Sequence, residues 1–177
     1  KTINDGAIED GAAISIVNRT GYKGLDKIEV TGGKFTAKTG NEAIKAYDWA
    51  NKAATEFTAN DKVAVSGGTF SSAVPAGLCA TGYVPTEKAT DGTYTVAVKE
   101  DVVAVIDKTE YTTLNEALMS AQTGETVVLM KDTTADIVMI RAGVTLNLYG
   151  HSVTNALLIY DNGQIIDTGD VKGIVQA

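Results

Sequence analysis

Sulfur and imidazole are almost missing from these 177 residues: Cys79 is the only cysteine and His151 the only histidine. One thiol cannot close an internal disulfide, and no Cys/His set of zinc-site spacing exists, so neither a disulfide framework nor a metal centre is expected. Arginine is scarce too, with Arg19 and Arg141 alone among fifteen basic residues and a formal charge of −7. That leaves no basic stripe to neutralise phosphates or reach guanine edges, and nucleic acid is not expected as a partner. Apolar runs stay short of the roughly eighteen residues that a membrane helix needs, so no membrane insertion is expected. Lys1 opens the chain with no charged and apolar leader behind it, and the sequence reads as a piece cut from something longer.

What is present is repetition. An apolar fraction of 44% can bury real cores, and two stretches of it echo each other. Ile28-Glu29-Val30-Thr31-Gly32-Gly33-Lys34-Phe35 and Val63-Ala64-Val65-Ser66-Gly67-Gly68-Thr69-Phe70 lie 35 positions apart. Each is a strand, a Gly-Gly corner and an aromatic. Two further stretches, 13–18 and 43–47, both begin Ala-Ile and precede these strands. Alternation puts Ile28 and Val30, like Val63 and Val65, on one face, and the glycines permit a sharp corner or a positive φ. Self-similarity at a fixed interval predicts stacked coils, each covering the apolar face of the last. The stretch 47–57 stays open between a short helix and a looped-out corner.

The repeat stops at Ser71. Pro75 and Gly82 bracket an apolar stretch that predicts a short helix over about 74–81. Asp91-Gly92 then marks a hairpin over about 83–98, burying Tyr94, Val96 and Val98, and this block reads as an end cap. A second unit begins near residue 99. Its capping helix is expected over about 113–123, with Thr113 at the N-cap, Glu116 as the capping-box partner, Leu114, Ala117, Leu118 and Ala121 on one face, and Gly124 as the stop. Short apolar strands follow at 126–130, 136–140, 144–149, 157–160, 164–167 and 173–175. Leu129, Leu148 and Ile166, spaced 19 and 18 positions apart, suggest one coil each, the last unfinished at Ala177. The fold class is therefore all-β: parallel β-helix units with short helical and hairpin caps, one over 1–98 and an incomplete one over 99–177.

The residues Val65-Ser66-Gly67-Gly68-Thr69-Phe70-Ser71, Val74-Pro75, Cys79-Ala80, Gly82-Tyr83-Val84-Pro85-Thr86 and Asp91-Gly92-Thr93-Tyr94-Thr95-Val96 carry a resemblance. They look like a repeat module of large cell-surface proteins of gut-dwelling Firmicutes, and such modules resemble the right-handed parallel β-helix of the pectate-lyase superfold. The stretch from Tyr111-Thr112-Thr113-Leu114 to Leu148-Tyr149-Gly150-His151 is similar to the first coils of another such domain. The resemblance implies a secreted or cell-wall-attached protein on the bacterial surface. It also implies host mucosal proteins, mucins or secreted immunoglobulins, or else glycans, as partners. The superfold hosts both lyases and inert stalks, so it does not fix an activity.

No catalytic set, cofactor or metal is expected. A polysaccharide lyase or hydrolase, the minority reading, would draw on Asp161, Asp167, Asp170, Arg141 and Lys172, yet Asp161-Asn162-Gly163 and Asp167-Thr168-Gly169-Asp170 are also ordinary turn sequences. His151 has no second His or Cys nearby and reads as a corner residue; Cys79 reads as a small buried hydrophobe. Ser66 lacks the flanking pattern of a nucleophile elbow, and Asn18-Arg19-Thr20 matches a glycosylation sequon on a corner. Tyr22, Tyr47, Trp49 and Tyr160 are the binding candidates, because Tyr and Trp offer large contact area at low entropy cost. A non-catalytic adhesin-like binding module is the leading expectation, with a carbohydrate-active domain or a pure spacer as alternatives.

Overall fold

The computed structural model describes residues 10–19, 21, 25–50, 53–134, 137–154 and 157–176. Strands dominate, with one helix among the described residues, and the fold is all-β. The chain divides into two compact units, Lys1–Ala97 and Val98–Ala177.

In the first unit β1 (Ile14–Arg19) lies parallel to β3 (Ile44–Ala50), and β2 (Ile28–Phe35) lies parallel to β5 (Val63–Phe70). The partners are the sequence echoes themselves: Ile14 opposes Ile44, Ile28 opposes Val63, and Phe35 opposes Phe70. Parallel pairing is favoured because it places like side chains over like, so Ile16, Val30, Ile44, Val63 and Val65 bury one another in a common cluster. The open stretch after Tyr47 is neither helix nor corner: β3 folds back as an antiparallel strand, β4 (Ala53–Glu56), with Tyr47 opposite Glu56.

The Gly-Gly pairs sit inside β2 and β5, where the ladder shifts register. Gly33 and Gly68 take φ of +106° and +111°, a conformation that side chains resist. The space above them is filled by Phe35 and Phe70, whose rings stack with centroids 5.1 Å apart and planes 21° from parallel. A Cβ on Gly67 would fall on the Thr31 carbonyl of the paired strand β2. The glycines thus let two backbones approach, and the aromatics close over the gap.

The helix expected over 74–81 is absent. Leu78 and Cys79 donate to the carbonyls of Pro75 and Ala76 in single turns. Their strand-like neighbours then bridge in parallel, Gly77 to Ala59 and Cys79 to Val65. The apolar residues that suggested a helix are claimed by the free edge of β5, and tertiary pairing overrides local propensity. Beyond them β6 (Tyr83–Pro85) and β7 (Val96–Val98) pair as a hairpin. Tyr94 exchanges backbone bonds with Phe70, and Asp91 accepts from the Thr93 amide and hydroxyl at the tip. Tyr94, Val96 and Val98 are half-buried.

In the second unit β8 (Ala104–Ile106) and β9 (Thr109–Tyr111) form a hairpin, and β8 lies antiparallel to β10 (Thr126–Leu129). Between them runs α1 (Leu114–Ser120), whose Thr113 hydroxyl accepts from the Glu116 amide at 3.2 Å. The Glu116 carboxylate accepts from the Thr112 hydroxyl. The helix ends short of the expected stop, because Ala121 turns to an extended conformation and joins the core. Leu114, Ala117 and Leu118 are buried with Val127, Val138 and Leu146, so α1 covers apolar side chains of the strands.

From β10 the chain winds through β11 (Thr133–Thr134), β12 (Val138–Ile140), β13 (Thr145–Asn147), β14 (Val153–Thr154), β15 (Leu157–Ile159), β16 (Gln164–Ile166) and β17 (Val175–Gln176). All the ladders among these strands are parallel: β10 to β13 to β16, β11 to β14 to β17, and β12 to β15. Val127, Leu146 and Ile165 stand in one row, evenly spaced along the chain. The expected row through Leu129, Leu148 and Ile166 is out of phase at its last member. Ile166 pairs with Asn147 and is exposed, while Ile165 takes the inward place. A shift of one residue moves a side chain to the other face of a strand.

Two glycines test the first unit's geometry. Gly67→Ala places a methyl group against immovable backbone and should cost about 1–3 kcal/mol. Gly32→Ala meets open space and should stay within about 0.5 kcal/mol. Urea midpoints at unchanged m-value measure both.

Candidate functional site

The second unit presents three walls of differing character. One carries Thr134, Thr154 and Gln176 in register, all polar and exposed. Another carries Thr126, Thr145 and Gln164, with Val128, Asn147 and Ile166 beside them. The wall of β12 and β15 differs: Val138 and Ile140 point inward and are buried, while Met139 faces outward beside Leu158. Spacing by two adds Ile137 and Tyr160 to that outer face. Exposures of 51% for Ile137, 44% for Met139, 46% for Leu158 and 52% for Tyr160 make this an apolar patch in water. Its backbone is held firmly, since the Tyr160 amide donates to the Ile140 carbonyl and the Tyr160 carbonyl accepts from Gly163.

Of the aromatic candidates, Tyr160 lies on this wall. Tyr47 and Trp49 belong to β3 in the first unit, where they are 8% and 5% exposed and so present little surface to a partner. Their alternation does set them opposite the inward row of Ile44 and Ala46, yet packing covers them. The Tyr47 hydroxyl donates to the Asp10 carboxylate at 2.6 Å. Tyr22 lies outside the described residues. Ile137, Met139 and Leu158 were not singled out from sequence. The available signal was the unbroken apolar runs Ile137–Ile140 and Leu157–Tyr160, since a strand without alternation has two apolar faces.

The ionisable candidates hold corners. The Asp167 carboxylate accepts from the amides of Gly150, Gly169 and Gly173 at 2.7–3.0 Å. The Gly173 and Gly169 amides, then that of Gly150, and the charge of Lys172 hold its pKa below the ordinary aspartate value. Arg141 donates through its guanidinium to the Ala121 carbonyl, and Lys172 to the carbonyls of Asp167 and Gly169. His151 Nδ1 lies 3.6 Å from the Asp132 carboxylate. Cys79 is half-buried with its thiol toward the Pro75 carbonyl, and the Asn18 side chain bonds Asp48 and the Leu25 amide. No group of three His, Cys, Asp or Glu among the described residues could hold a metal ion.

A cavity of about 260 Å³ opens near the start of α1, lined by Val103, Thr112, Thr113, Asn115, Thr133 and Thr134. Leu114 lines it too, so apolar surface from Val103 and Leu114 accompanies the threonine hydroxyls and the one amide. No ionisable group is present there to move a proton, and the volume is below that usual for a ligand pocket.

The sequence matches no family model, and comparison with curated proteins and with solved structures gives no significant match.

Partial burial raises the Asp10 pKa, but bonds from the Tyr47 hydroxyl, the Ala12 amide and the Ser15 hydroxyl bring it below the usual aspartate value. Its contribution to stability is therefore complete above the ordinary value and is lost as pH falls through the lowered one. Tyr47→Phe should destabilise the chain by about 1–3 kcal/mol at neutral pH and move the Asp10 titration upward. Thermal unfolding and carboxyl carbon shifts followed with pH check the two effects.

Proposed function

We propose that this chain is a non-catalytic binding module of a secreted or wall-attached bacterial surface protein. Each unit is read as a segment of right-handed parallel β-helix, the hand that parallel crossovers nearly always take. The evenly repeating parallel ladders, 127 to 146 to 165 in one and 138 to 157 in another, support that reading. A host mucosal protein, a mucin or a secreted immunoglobulin, is the partner class. The single observation that carries the proposal is the outward apolar wall of Ile137, Met139, Leu158 and Tyr160.

The wall's chemistry favours a polypeptide over a sugar. Three of its four side chains are aliphatic or thioether and match apolar side chains, whereas sugar stacking draws on aromatic faces, and Tyr160 is the one aromatic there. A net charge of −7 also disfavours acidic glycans through like-charge repulsion. The carbohydrate-active alternative finds Asp167, Arg141 and Lys172 already bonded to backbone at corners.

The test is retention of purified mucin and of secretory immunoglobulin on immobilised chain. Replacing Met139 and Leu158 together by Ser should weaken capture at least tenfold, about 1.4 kcal/mol. The melting temperature should barely move, because both side chains are already exposed. Capture that ignores the double substitution would remove the wall from the account, and capture of neither protein would leave a spacer.

A further inference from the structure

The corner that closes the last coil is built unlike the others. Val153 pairs with Val175, a longer interval of chain than that from Thr133 to Val153 in the same ladder or any in the other two. The surplus lies in the excursion 167–173, which folds down on the corner beneath it. A Cβ on Gly169 would strike the backbone of Tyr149 and Gly150, and one on Gly173 would strike the His151 carbonyl. Chain therefore packs on chain with no side chain between.

At the centre of this contact is one carboxylate. Asp167 Oδ1 accepts from Gly169 of its own loop at 3.0 Å and from Gly150 of the coil beneath at 2.8 Å, and Oδ2 accepts from Gly173 at the loop's far end at 2.7 Å. Beside it, the Asn147 side chain donates to the Thr168 hydroxyl at 2.8 Å and accepts from the Thr168 amide at 3.2 Å, so Thr168 has a hold of its own on the strand beneath. β17 contributes two residues of ladder, and Val171, Ile174 and Val175 are all exposed. Beyond Gly173 the segment is tied by the bond from the Val153 amide to the Ile174 carbonyl and that from the Ile174 amide to the Ser152 hydroxyl.

We propose that the Asp167 carboxylate is a latch: ionised, it holds the 169–173 corner and β17 against the coil beneath, and neutralised, it releases residues 169–176 while Thr168, held by Asn147, and the other coils stay in place. Charge-assisted bonds to an anion are roughly twice as strong as neutral ones, so protonation weakens all three bonds together. The direction of the pH dependence follows from the lowered pKa. The hold is complete above the ordinary aspartate value of 3.8 and is lost as pH falls through the lowered one.

Other charges face the latch. Lys172 and Asp170 lie in the loop itself, and His151 lies on the coil beneath with Asp132 beside it. Protonating His151 strengthens its pairing with Asp132 and adds positive charge under the corner, so it does not mimic release. Asp170 is the remaining carboxylate of the loop, and Asp170→Asn separates its contribution.

Hydrogen exchange resolved by amide tests the latch on the full chain. In Asp167→Asn at neutral pH, protection of the Gly169, Gly173 and Val153 amides should fall about tenfold or more. The Thr145, Leu148 and Gln164 amides should keep theirs, and Asp170→Asn should leave all six unchanged. Unchanged protection in Asp167→Asn would overturn the proposal, as would an equal loss at Thr145, Leu148 and Gln164. A titration of the unaltered chain guards against a variant that misfolds. The Gly173 amide and the Asp167 carboxyl carbon should shift with one midpoint, and separate midpoints would overturn the latch.

Discussion

Parallel pairing at a nearly constant offset is the constraint on which the second unit depends. Once Val127, Leu146 and Ile165 stand in one row, these side chains pack in a common core, and the backbone groups of inner strands are satisfied sideways. Fully burying a side chain such as Leu146 contributes about 1.5–3 kcal/mol. At β10 the parallel ladder gives way to the antiparallel hairpin of β8 and β9, and α1 covers apolar side chains of the strands.

The first unit also pairs in parallel, with more chain between the partners: it runs from Ile14 to Ile44 and from Ile28 to Val63 before it pairs with itself. The Gly-Gly bulges shift the register of β2 and β5, and each is covered by a phenylalanine of its own strand. Polar groups that end up partly covered are matched at the same time. Tyr47 meets Asp10, and Lys45 meets Glu42 and Glu56. In the second unit Asn147 meets Thr168 and the Tyr149 amide.

The pairing of β2 with β5 and of β1 with β3 was legible because the repeated strings are the paired strands: identity of pattern and adjacency in space have one cause. The helix N-cap at Thr113 was legible because capping is a local matter. The strands β11 and β14 were not, since Thr133-Thr134 and Val153-Thr154 are too short to alternate and exist through their ladder alone. The stretch 74–81 misled for the same reason in reverse: Pro, Gly and apolar residues describe a helix locally, and only the free edge of β5 decides otherwise. Of the binding candidates, aromatic identity pointed to Tyr47 and Trp49, whose burial no local pattern reveals. The wall around Tyr160 was written in unbroken apolar runs, a signal of two apolar faces that reads equally as a deeply buried strand.

That wall and the parallel ladders are linked, because the register of β12 with β15 sets Met139 beside Leu158 and leaves both facing out. Nuclear Overhauser contacts between strands measure the register directly. The account predicts contacts between backbone amides and α-protons linking β10 to β13 and β13 to β16, with Val127 near Leu146 and Leu146 near Ile165. Close pairs of α-protons across those strands, the mark of antiparallel pairing, would contradict it.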